Sequence, residues 1–245
     1  MSSWLAPTAF VDRTVVLIGG GSGVGLCVAR AVVEAGGQVV LGGRTQQTLA
    51  DAAADLGDGA RWRTVDTSDA DSVSAFFGDI DIVHGVFTTA ATYVTGPMRD
   101  LGEAEAATPF ESKFWGQYRV VKAALPRLAD DASIVLMSGA ASVRPPGSAP
   151  AYIAANAAVE GLARGLAVEL SPVRVNAVAP GTIDGNLWRT RDPDVRRAAF
   201  GQYVSAATIG RLITEDEVAQ SVVHLLLNGA MTGSVVYPDG GYTFR

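Results

Sequence analysis

The chain has 245 residues, and 48% of them are hydrophobic, which is enough for a sizeable core in one large α/β domain or two small ones. Its formal net charge of −6 at pH 7 argues against a surface for nucleic acid or for an anionic membrane. No run of about 18 apolar residues predicts a membrane span, and the N-terminus lacks the basic and apolar segments of a targeting signal, so we expect a cytoplasmic protein.

Apolar runs and helical patterns alternate along the chain. The runs predict strands at Thr14 to Ile18, Gln38 to Leu41, Arg61 to Val65, Ile80 to Phe87, Ser133 to Met137, Arg174 to Val178 and Ser234 to Tyr237. The patterns predict helices at Gly23 to Ala35, from Thr45 to near Gly57, after Ser68, and at Ala106 to Leu128, Ala151 to Leu170 and Glu215 to Leu227. Because strands separated by helices form parallel sheets and no linker divides the chain, residues 1–245 are predicted to form one domain around a doubly wound parallel sheet of seven strands.

A glycine-rich loop joins the first strand to the first helix. Residues 19–25 read GGGSGVG. Gly19 and Gly23 lack the Cβ that would block a close backbone approach, and the helix that begins near Gly23 points its free N–H groups at an anion. With a strand before it and a βαβ return after it, the loop predicts a cradle for the phosphates of a nucleotide. The alternative is a tight turn that binds no ligand.

Five further motifs follow the loop in a specific order. They are Asp66-Thr67, Ala90-Ala91, Tyr152 on a helix of small residues, Arg174 to Gly181 (RVNAVAPG) and Asp239-Gly240-Gly241. With these motifs the chain resembles the short-chain dehydrogenase/reductase family over nearly its whole length. The resemblance implies a Rossmann-type domain that binds a nicotinamide cofactor and acts on a small-molecule carbonyl or alcohol.

The resemblance also implies a set of cofactor contacts at the ends of the strands. The expected residues are Gly19, Gly21, Ser22, Gly23, Val24, Gly25, Arg44, Thr45, Asp66, Thr67, Thr89, Ala90, Ala91, Pro180, Gly181 and Ile183. Among them, Asp66 would meet the adenine and the alanine pair would line the ribose. Pro180, Gly181 and Ile183 would face the nicotinamide.

The residue type after the second strand indicates which cofactor is used. About 20 residues beyond the glycine motif, an NAD site places a carboxylate on the ribose 2′-OH, whereas an NADP site has an arginine near the 2′-phosphate. This chain has Arg44 and Thr45 there, and a guanidinium with a hydroxyl suits a phosphate. We therefore predict NADP(H) in preference to NAD(H). The alternative for Arg44 is a solvated loop cation.

The catalytic motif departs from the family pattern. The family uses a tyrosine as proton donor, a lysine four residues later, a serine at the preceding strand end and an asparagine on the helix before that. Here Tyr152 is present, but Asn156 stands at the lysine position and Lys113 at the asparagine position. We predict a reciprocal exchange in which Lys113 lowers the pKa of Tyr152 while Asn156 holds the ribose or a water. The alternative is that Lys113 points to solvent and Asn156 only contacts the ribose.

Other site positions are less regular. The serine position is occupied by either Ser138 or Gly139, and Ser138 is the predicted oxyanion donor. Thr88-Thr89 replaces the usual asparagine pair before the alanines, and Gly185 replaces the threonine that would hold the carboxamide. Each change removes a hydrogen bond of about 1 kcal/mol, so orientation of the nicotinamide is the expected weakness.

The substrate side is predicted from apolar and aromatic residues. Residues 184–210 are expected to form a lid, which supplies Leu187, Trp188, Phe200 and Tyr203, while Thr92, Tyr93, Pro145 and Pro146 add walls. The arginines Arg189, Arg191, Arg196 and Arg197 are assigned to a solvated helix face rather than to an anion site. Cys27 is expected to be a buried small hydrophobe, and His84 and His224 show no metal-ligand spacing, so no metal site is predicted.

Three functions agree with these features. The first is an NADP(H)-dependent oxidoreductase that reduces a small ketone, aldehyde or imine, with Tyr152 as the acid. The second is a cofactor-binding protein without redox turnover, which serves as a sensor or subunit. The third, a dehalogenase or lyase, is disfavoured because the glycine loop is complete. By analogy with the family we expect a dimer or tetramer of identical chains.

Overall fold

The computed structural model describes residues 5–89, 91–189 and 191–244, with only the backbone of residues 186 and 187. The expected cofactor contact of Ala90 and the expected substrate contact of the Leu187 side chain therefore lie outside the described residues. The strands are β1 (Thr14–Ile18), β2 (Gln38–Gly43), β3 (Ala60–Thr64), β4 (Val83–Thr88), β5 (Leu128–Met137), β6 (Arg174–Val178) and β7 (Val235–Val236). They form one parallel sheet of seven strands, as predicted, and the strand order is β3-β2-β1-β4-β5-β6-β7.

Helices cover both faces of the sheet. They are α1 (Gly23–Glu34), α2 (Gln46–Leu56), α3 (Ala70–Phe77), α4 (Glu103–Pro109), α5 (Gly116–Ala124), α6 (Pro150–Glu169), α7 (Asn186–Arg189), α8 (Pro193–Ala206) and α9 (Glu215–Leu227). Side chains of β1 alternate between two hydrophobic clusters, with Val15 and Leu17 in one and Val16 and Ile18 in the other. Since successive side chains of a strand point to opposite faces, the sheet is buried on both sides and the chain is one α/β domain.

One predicted helix is broken into three parts. The pattern at 106–128 predicts continuous helix, but α4 and α5 are joined by a π-helical turn at Phe110–Trp115, and Leu128 already belongs to β5. Pro109 has no N–H, so it cannot donate to the carbonyl of Glu105, which instead accepts a hydrogen bond of 2.7 Å from Thr108 Oγ1. The helix widens directly after this proline, and the wide turn carries Lys113.

Helix ends agree in part with the predicted caps. The hydroxyl of Thr214 accepts from the N–H of Glu217, and the Glu217 carboxylate accepts from the N–H of Thr214, so the predicted capping box is confirmed. Thr45 occupies the N-cap position of α2 without a side-chain capping bond. The Thr45 hydroxyl therefore does not cap α2.

Cys27 lies on α1 and is half-buried rather than fully buried. Burial, together with its neighbour Asp216, raises the pKa of the thiol to about 12, so the thiol is protonated at neutral pH. Within the described part of the chain, no helix is long and apolar enough to cross a membrane.

Candidate active site

A cavity of about 1230 Å³ lies at the carboxyl ends of the strands, where parallel sheets of this kind bind their ligands. Most of the predicted site residues line it. These are Gly19, Gly21, Ser22, Gly23, Val24, Arg44, Thr45, Asp66, Thr67, Thr89, Ala91, Lys113, Ser138, Tyr152, Pro180, Gly181 and Ile183. Two other predicted residues, Gly25 and Asn156, do not line the cavity.

The glycine loop offers free donors to this cavity. Gly23 begins α1 with a φ of +57°, a left-handed conformation that favours glycine. The N–H groups of Gly23 and Val24 have no acceptor among the described residues, and the N-cap residue Ser22 makes no side-chain capping bond. Unpaired donors at a helix N-terminus fit the phosphates of a dinucleotide.

Gly25 has a packing role instead of the expected cofactor contact. A Cβ at this position would lie 2.2 Å from the carbonyl oxygen of Gly19. No side chain fits in so short a distance, so Gly25 lets α1 pack against the turn that precedes it. Gly25 therefore supports the glycine loop by close packing and does not line the cavity.

The residue predicted to select the cofactor, Arg44, also lines the cavity. Arg44 follows β2, and its guanidinium donates to Thr92 Oγ1 at 3.0 Å. Asp66, at the end of β3, accepts from the N–H and the hydroxyl of Ser68 at 2.9 and 2.7 Å, and these bonds lower the pKa of its carboxyl. Asp66 is therefore an anion that its own loop holds in place, beside the cation of Arg44.

A carboxylate that the sequence did not single out lies near the glycine loop. Glu215, the first residue of α9, lines the cavity. Its Oε1 would be 3.2 Å from a Cβ at Gly23 and only 2.5 Å from a Cβ at Gly185. The carboxylate thus occupies space that a side chain at position 185 would need, next to the phosphate cradle. The negative charge of Glu215 therefore makes the glycine loop less favourable for binding an anion.

Lys113 points into the protein rather than to solvent. Its side chain is 5% exposed, its Nζ donates to the carbonyl of Ser138 at 2.9 Å, and the same nitrogen lies 5.6 Å from the centroid of the Tyr152 ring. Burial lowers the pKa of Lys113, and the neighbouring Tyr152 partly opposes this shift. The predicted proximity of the lysine cation and the tyrosine is confirmed, and the solvent alternative is wrong.

Gln117 fixes the wide turn that carries Lys113. Its amide nitrogen donates to the carbonyls of Lys113 and Met137 at 2.9 and 3.0 Å, and its amide oxygen accepts from the N–H of Met137 at 2.8 Å. The side chain is 1% exposed. A single buried amide therefore ties the π-helical turn to the end of β5.

Two phenol side chains pack together in the cavity. The rings of Tyr93 and Tyr152 have centroids 4.8 Å apart. Burial alone would raise the pKa of Tyr152, but the charge of Lys113 and the neighbouring Tyr93 hydroxyl outweigh it and lower the pKa below its usual value. Burial and Tyr152 raise the pKa of Tyr93. Tyr152 is thus the phenol that ionises more readily.

The hydroxyl of Ser138 does not face these phenols, which corrects its expected role as oxyanion donor. Ser138 Oγ is 3.0 Å from both the carbonyl oxygen of Asn156 and Oε1 of Glu160, and both neighbours are acceptors. The hydroxyl of Ser138 therefore donates its hydrogen bond to an acceptor on α6. The residue beside Tyr152 is Gly139, where a Cβ would be 3.5 Å from the Tyr152 hydroxyl. The open choice between the two positions is resolved in favour of Gly139.

Asn156, which is expected to hold the ribose or a water, does not line the cavity. Its side chain is fully buried, and Nδ2 donates to the carbonyl of Tyr152 at 2.8 Å. Its Oδ1 has no hydrogen-bond partner among the described residues and would lie 3.1 Å from a Cβ at Gly139. Asn156 supports the turn of α6 that presents Tyr152, without reaching the cavity.

The expected lid consists of α7, α8 and the connecting residues. Trp188 lines the cavity, and Phe200 packs against it edge to face at 5.4 Å. Tyr203 is buried, and its hydroxyl donates to the carbonyl of Asp239 at 2.5 Å. Phe200 therefore has a packing role, while Trp188 and Tyr203 both line the cavity.

Comparison with known proteins agrees with this architecture. A family model described as enoyl-(acyl carrier protein) reductase matches residues 19–243. The chain is 32% identical to cis-4-hydroxycyclohexanecarboxylate dehydrogenase of Sinomonas cyclohexanicum, over 96% of this chain and 98% of that protein.

Two solved structures are similar over nearly the whole chain. MalC reductase/Diels-Alderase of Malbranchea aurantiaca has a TM-score of 0.88 at 25% identity, with 98% of this chain and 99% of that chain covered. An NADPH-bound short chain oxidoreductase of Pseudomonas aeruginosa, described as containing an atypical catalytic center, has a TM-score of 0.85 at 27% identity, with 95% and 97% covered. From the sheet, the cleft and these matches, the chain belongs to the short-chain dehydrogenase/reductase family, whose members use nicotinamide cofactors.

Proposed function

We propose that this protein is an NADP(H)-dependent oxidoreductase that interconverts a small ketone, aldehyde or imine with the reduced alcohol or amine. The observation that carries the proposal is the buried ammonium of Lys113 beside the Tyr152 ring. Burying a cation away from water costs free energy unless a compensating group is paired with it. Here it favours the ionised form of the phenol that lines the cavity.

The chain's own residues then account for the proton transfer. When bound, a nicotinamide cofactor supplies or accepts the hydride. In the reducing direction Tyr152 donates its proton to the substrate oxygen, and Lys113 stabilises the phenolate that remains. Ser138 contributes only its carbonyl, which holds Nζ of Lys113 at 2.9 Å. The neighbouring Tyr93 hydroxyl also lowers the pKa of Tyr152, an effect that Gly139 cannot supply because it has no side chain.

The cofactor preference rests on charge. Arg44 lies in the cavity next to Thr45, whose hydroxyl is not used for capping. A guanidinium and a free hydroxyl suit the 2′-phosphate of NADP(H), so NAD(H) is the less favoured cofactor. The oxidoreductase of Pseudomonas aeruginosa, which is similar in fold, was solved with NADPH.

The substrate and the assembly follow from less direct observations. The dehydrogenase of Sinomonas cyclohexanicum is named for a ring alcohol, and a ketone or alcohol of similar size suits the wall formed by Trp188 and Tyr93. The proposal includes a dimer or tetramer, in which the exposed Trp115 and helix α6 contact a second copy. Sedimentation equilibrium tests this part, and a monomer would contradict it.

The experiment that tests the proposal measures binding and turnover separately. NADPH and NADH are titrated by calorimetry, and NADPH oxidation is then followed at 340 nm with a panel of small ketones and aldehydes. We expect tighter binding of NADPH and oxidation with at least one carbonyl compound. Binding without oxidation of any substrate would favour the non-redox alternative, and an absence of binding would overturn both.

A further inference from the structure

We propose that the substrate carries a carboxylate and that Arg191 binds it, so that the natural substrates are oxo acids or hydroxy acids. This inference rests on the proposed function and names the substrate class of the same cavity. It reverses the expectation that the lid arginines only form a solvated surface. The lid arginines differ in what their side chains face.

Two lid arginines already have carboxylate partners. Arg196 pairs with Asp184 at 2.5 Å, and Arg197 pairs with Asp194 at 3.1 Å with 78% of its side chain exposed. Neither of them lines the cavity. These two cations fit the expected solvated face.

Arg191 is placed differently. It lines the cavity, and its guanidinium carbon lies 5.2 Å from the centroid of the Trp188 ring, which also lines it. Among the described residues no carboxylate lies within 4.0 Å of its guanidinium. The neighbouring Asp192 is occupied, because its Oδ1 accepts from the N–H groups of Asp194 and Val195 and caps α8. Arg191 is thus a cation of the cavity wall with its donors available.

The position of Arg191 relative to the reacting groups also supports the inference. Arg191, Tyr93 and Tyr152 line the same cavity. The positive charge of Arg191 is one of the causes that lower the pKa of Tyr152, and it opposes the rise in the pKa of Tyr93. A carboxylate bound at Arg191 would therefore share the cavity with both phenols.

Three acidic residues line the cavity in the described part of the chain, and none of them forms an ion pair with Arg191. Glu215 lies beside Gly23 and Gly185, and Asp66 is held by Ser68. Glu111 is 3.7 Å from Arg119, which donates to the carbonyl of Thr67. The carboxylates of the cavity therefore leave the Arg191 guanidinium to a ligand.

Arg144 also lines the cavity. The Arg144 guanidinium lies 4.4 Å from the centroid of the Tyr242 ring and donates to the Tyr242 carbonyl. It adds positive potential, while Arg191 offers the free planar fork that pairs with a carboxylate through two parallel hydrogen bonds. In a chain of net charge −6, these two arginines, together with Arg44 and Lys113, make the cavity attractive to an anion.

The test compares acids with uncharged analogues of the same shape. Calorimetry measures binding of cyclohexanecarboxylate and of cyclohexanecarboxamide to the protein saturated with NADP⁺, and kinetics compares a series of oxo acids with their methyl esters. The variants are Arg191→Gln and, as a matched control on the same lid, Arg197→Gln. Because binding is measured without turnover, the inference remains testable if no ketone is reduced.

We expect the wild-type protein and Arg197→Gln to bind the carboxylate about ten-fold or more tightly than the carboxamide, and the oxo acids to have lower KM values than the esters. In Arg191→Gln this preference should disappear while NADP⁺ affinity is retained. Equal binding of acid and amide by the wild-type protein would overturn the inference. An undiminished preference in Arg191→Gln would do the same.

Discussion

Nζ of Lys113 lies 5.6 Å from the centroid of the Tyr152 ring and is held there by the carbonyl of Ser138. The two residues come from different elements, a π-helical turn and α6, so the contact depends on the tertiary fold. A buried cation at this distance favours the phenolate. This geometry supports the proposal that Lys113 supplies the charge that a catalytic Tyr152 requires.

Replacing Arg44 by Gln should change the cofactor preference. The variant loses the cation expected to meet the 2′-phosphate, so the KM for NADPH should rise about ten-fold or more while that for NADH changes little. Steady-state kinetics with both cofactors measures this. Arg61→Gln, at an exposed position on β3, is the control. An equal loss with both cofactors would show that Arg44 supports the loop and does not select a phosphate.

Replacing Glu215 by Gln should tighten cofactor binding. The carboxylate lies beside the phosphate cradle, where a negative charge repels the phosphates, so the Kd for NADPH should fall several-fold. The change should be smaller at high salt, because salt screens the repulsion. Asp216→Asn, the next residue along α9 and outside this cavity, is the control. Weaker binding would mean instead that Glu215 accepts a hydrogen bond from the cofactor.

Replacing Tyr93 by Phe should slow the reaction without loosening the cofactor. The ring that packs at 4.8 Å from Tyr152 is kept, but the hydroxyl that stabilises the phenolate is lost. We expect kcat to fall about ten-fold, with unchanged Kd for NADPH and a higher apparent pKa of the rate. Tyr118→Phe, an exposed tyrosine on α5, should behave like the wild-type protein. Unaltered kcat in Tyr93→Phe would show that this phenol only packs.

Much of the fold could be predicted because the signals are local. The alternation of apolar runs and helices determines a doubly wound sheet, and the Thr214–Glu217 box marks the start of α9 within the chain itself. The order of the motifs along the strand ends also places Gly23, Arg44 and Tyr152 at one cleft.

One detail that failed depends on a contact between distant residues. The hydroxyl of Ser138 donates to Glu160, 22 positions along the chain, so Gly139 rather than this hydroxyl lies beside Tyr152. The amide of Asn156 donates to the carbonyl of Tyr152, one helical turn away. Periodicity carries no sign of either contact.

The sequence likewise does not distinguish the lid arginines from one another. Arg191, Arg196 and Arg197 belong to one short stretch of similar composition, and only the packing of Trp188 and the acidic partners of α8 separates a cavity cation from surface cations. Tyr93 was predicted as a wall, and its ring contact with Tyr152 could not be foreseen from its position after β4.

The most direct test is the pH dependence of alcohol oxidation in Lys113→Met. Lys122→Met is the control, because Lys113 and Lys122 are the two lysines of the chain and Lys122 is exposed. Oxidation requires the Tyr152 phenolate, so the rate rises with pH through the pKa of this group, which Lys113 holds below the usual value. We predict that Lys113→Met lowers kcat at neutral pH on the order of 100-fold and moves the profile to higher pH, with unchanged NADPH affinity. A wild-type rate and profile in Lys113→Met would contradict the account.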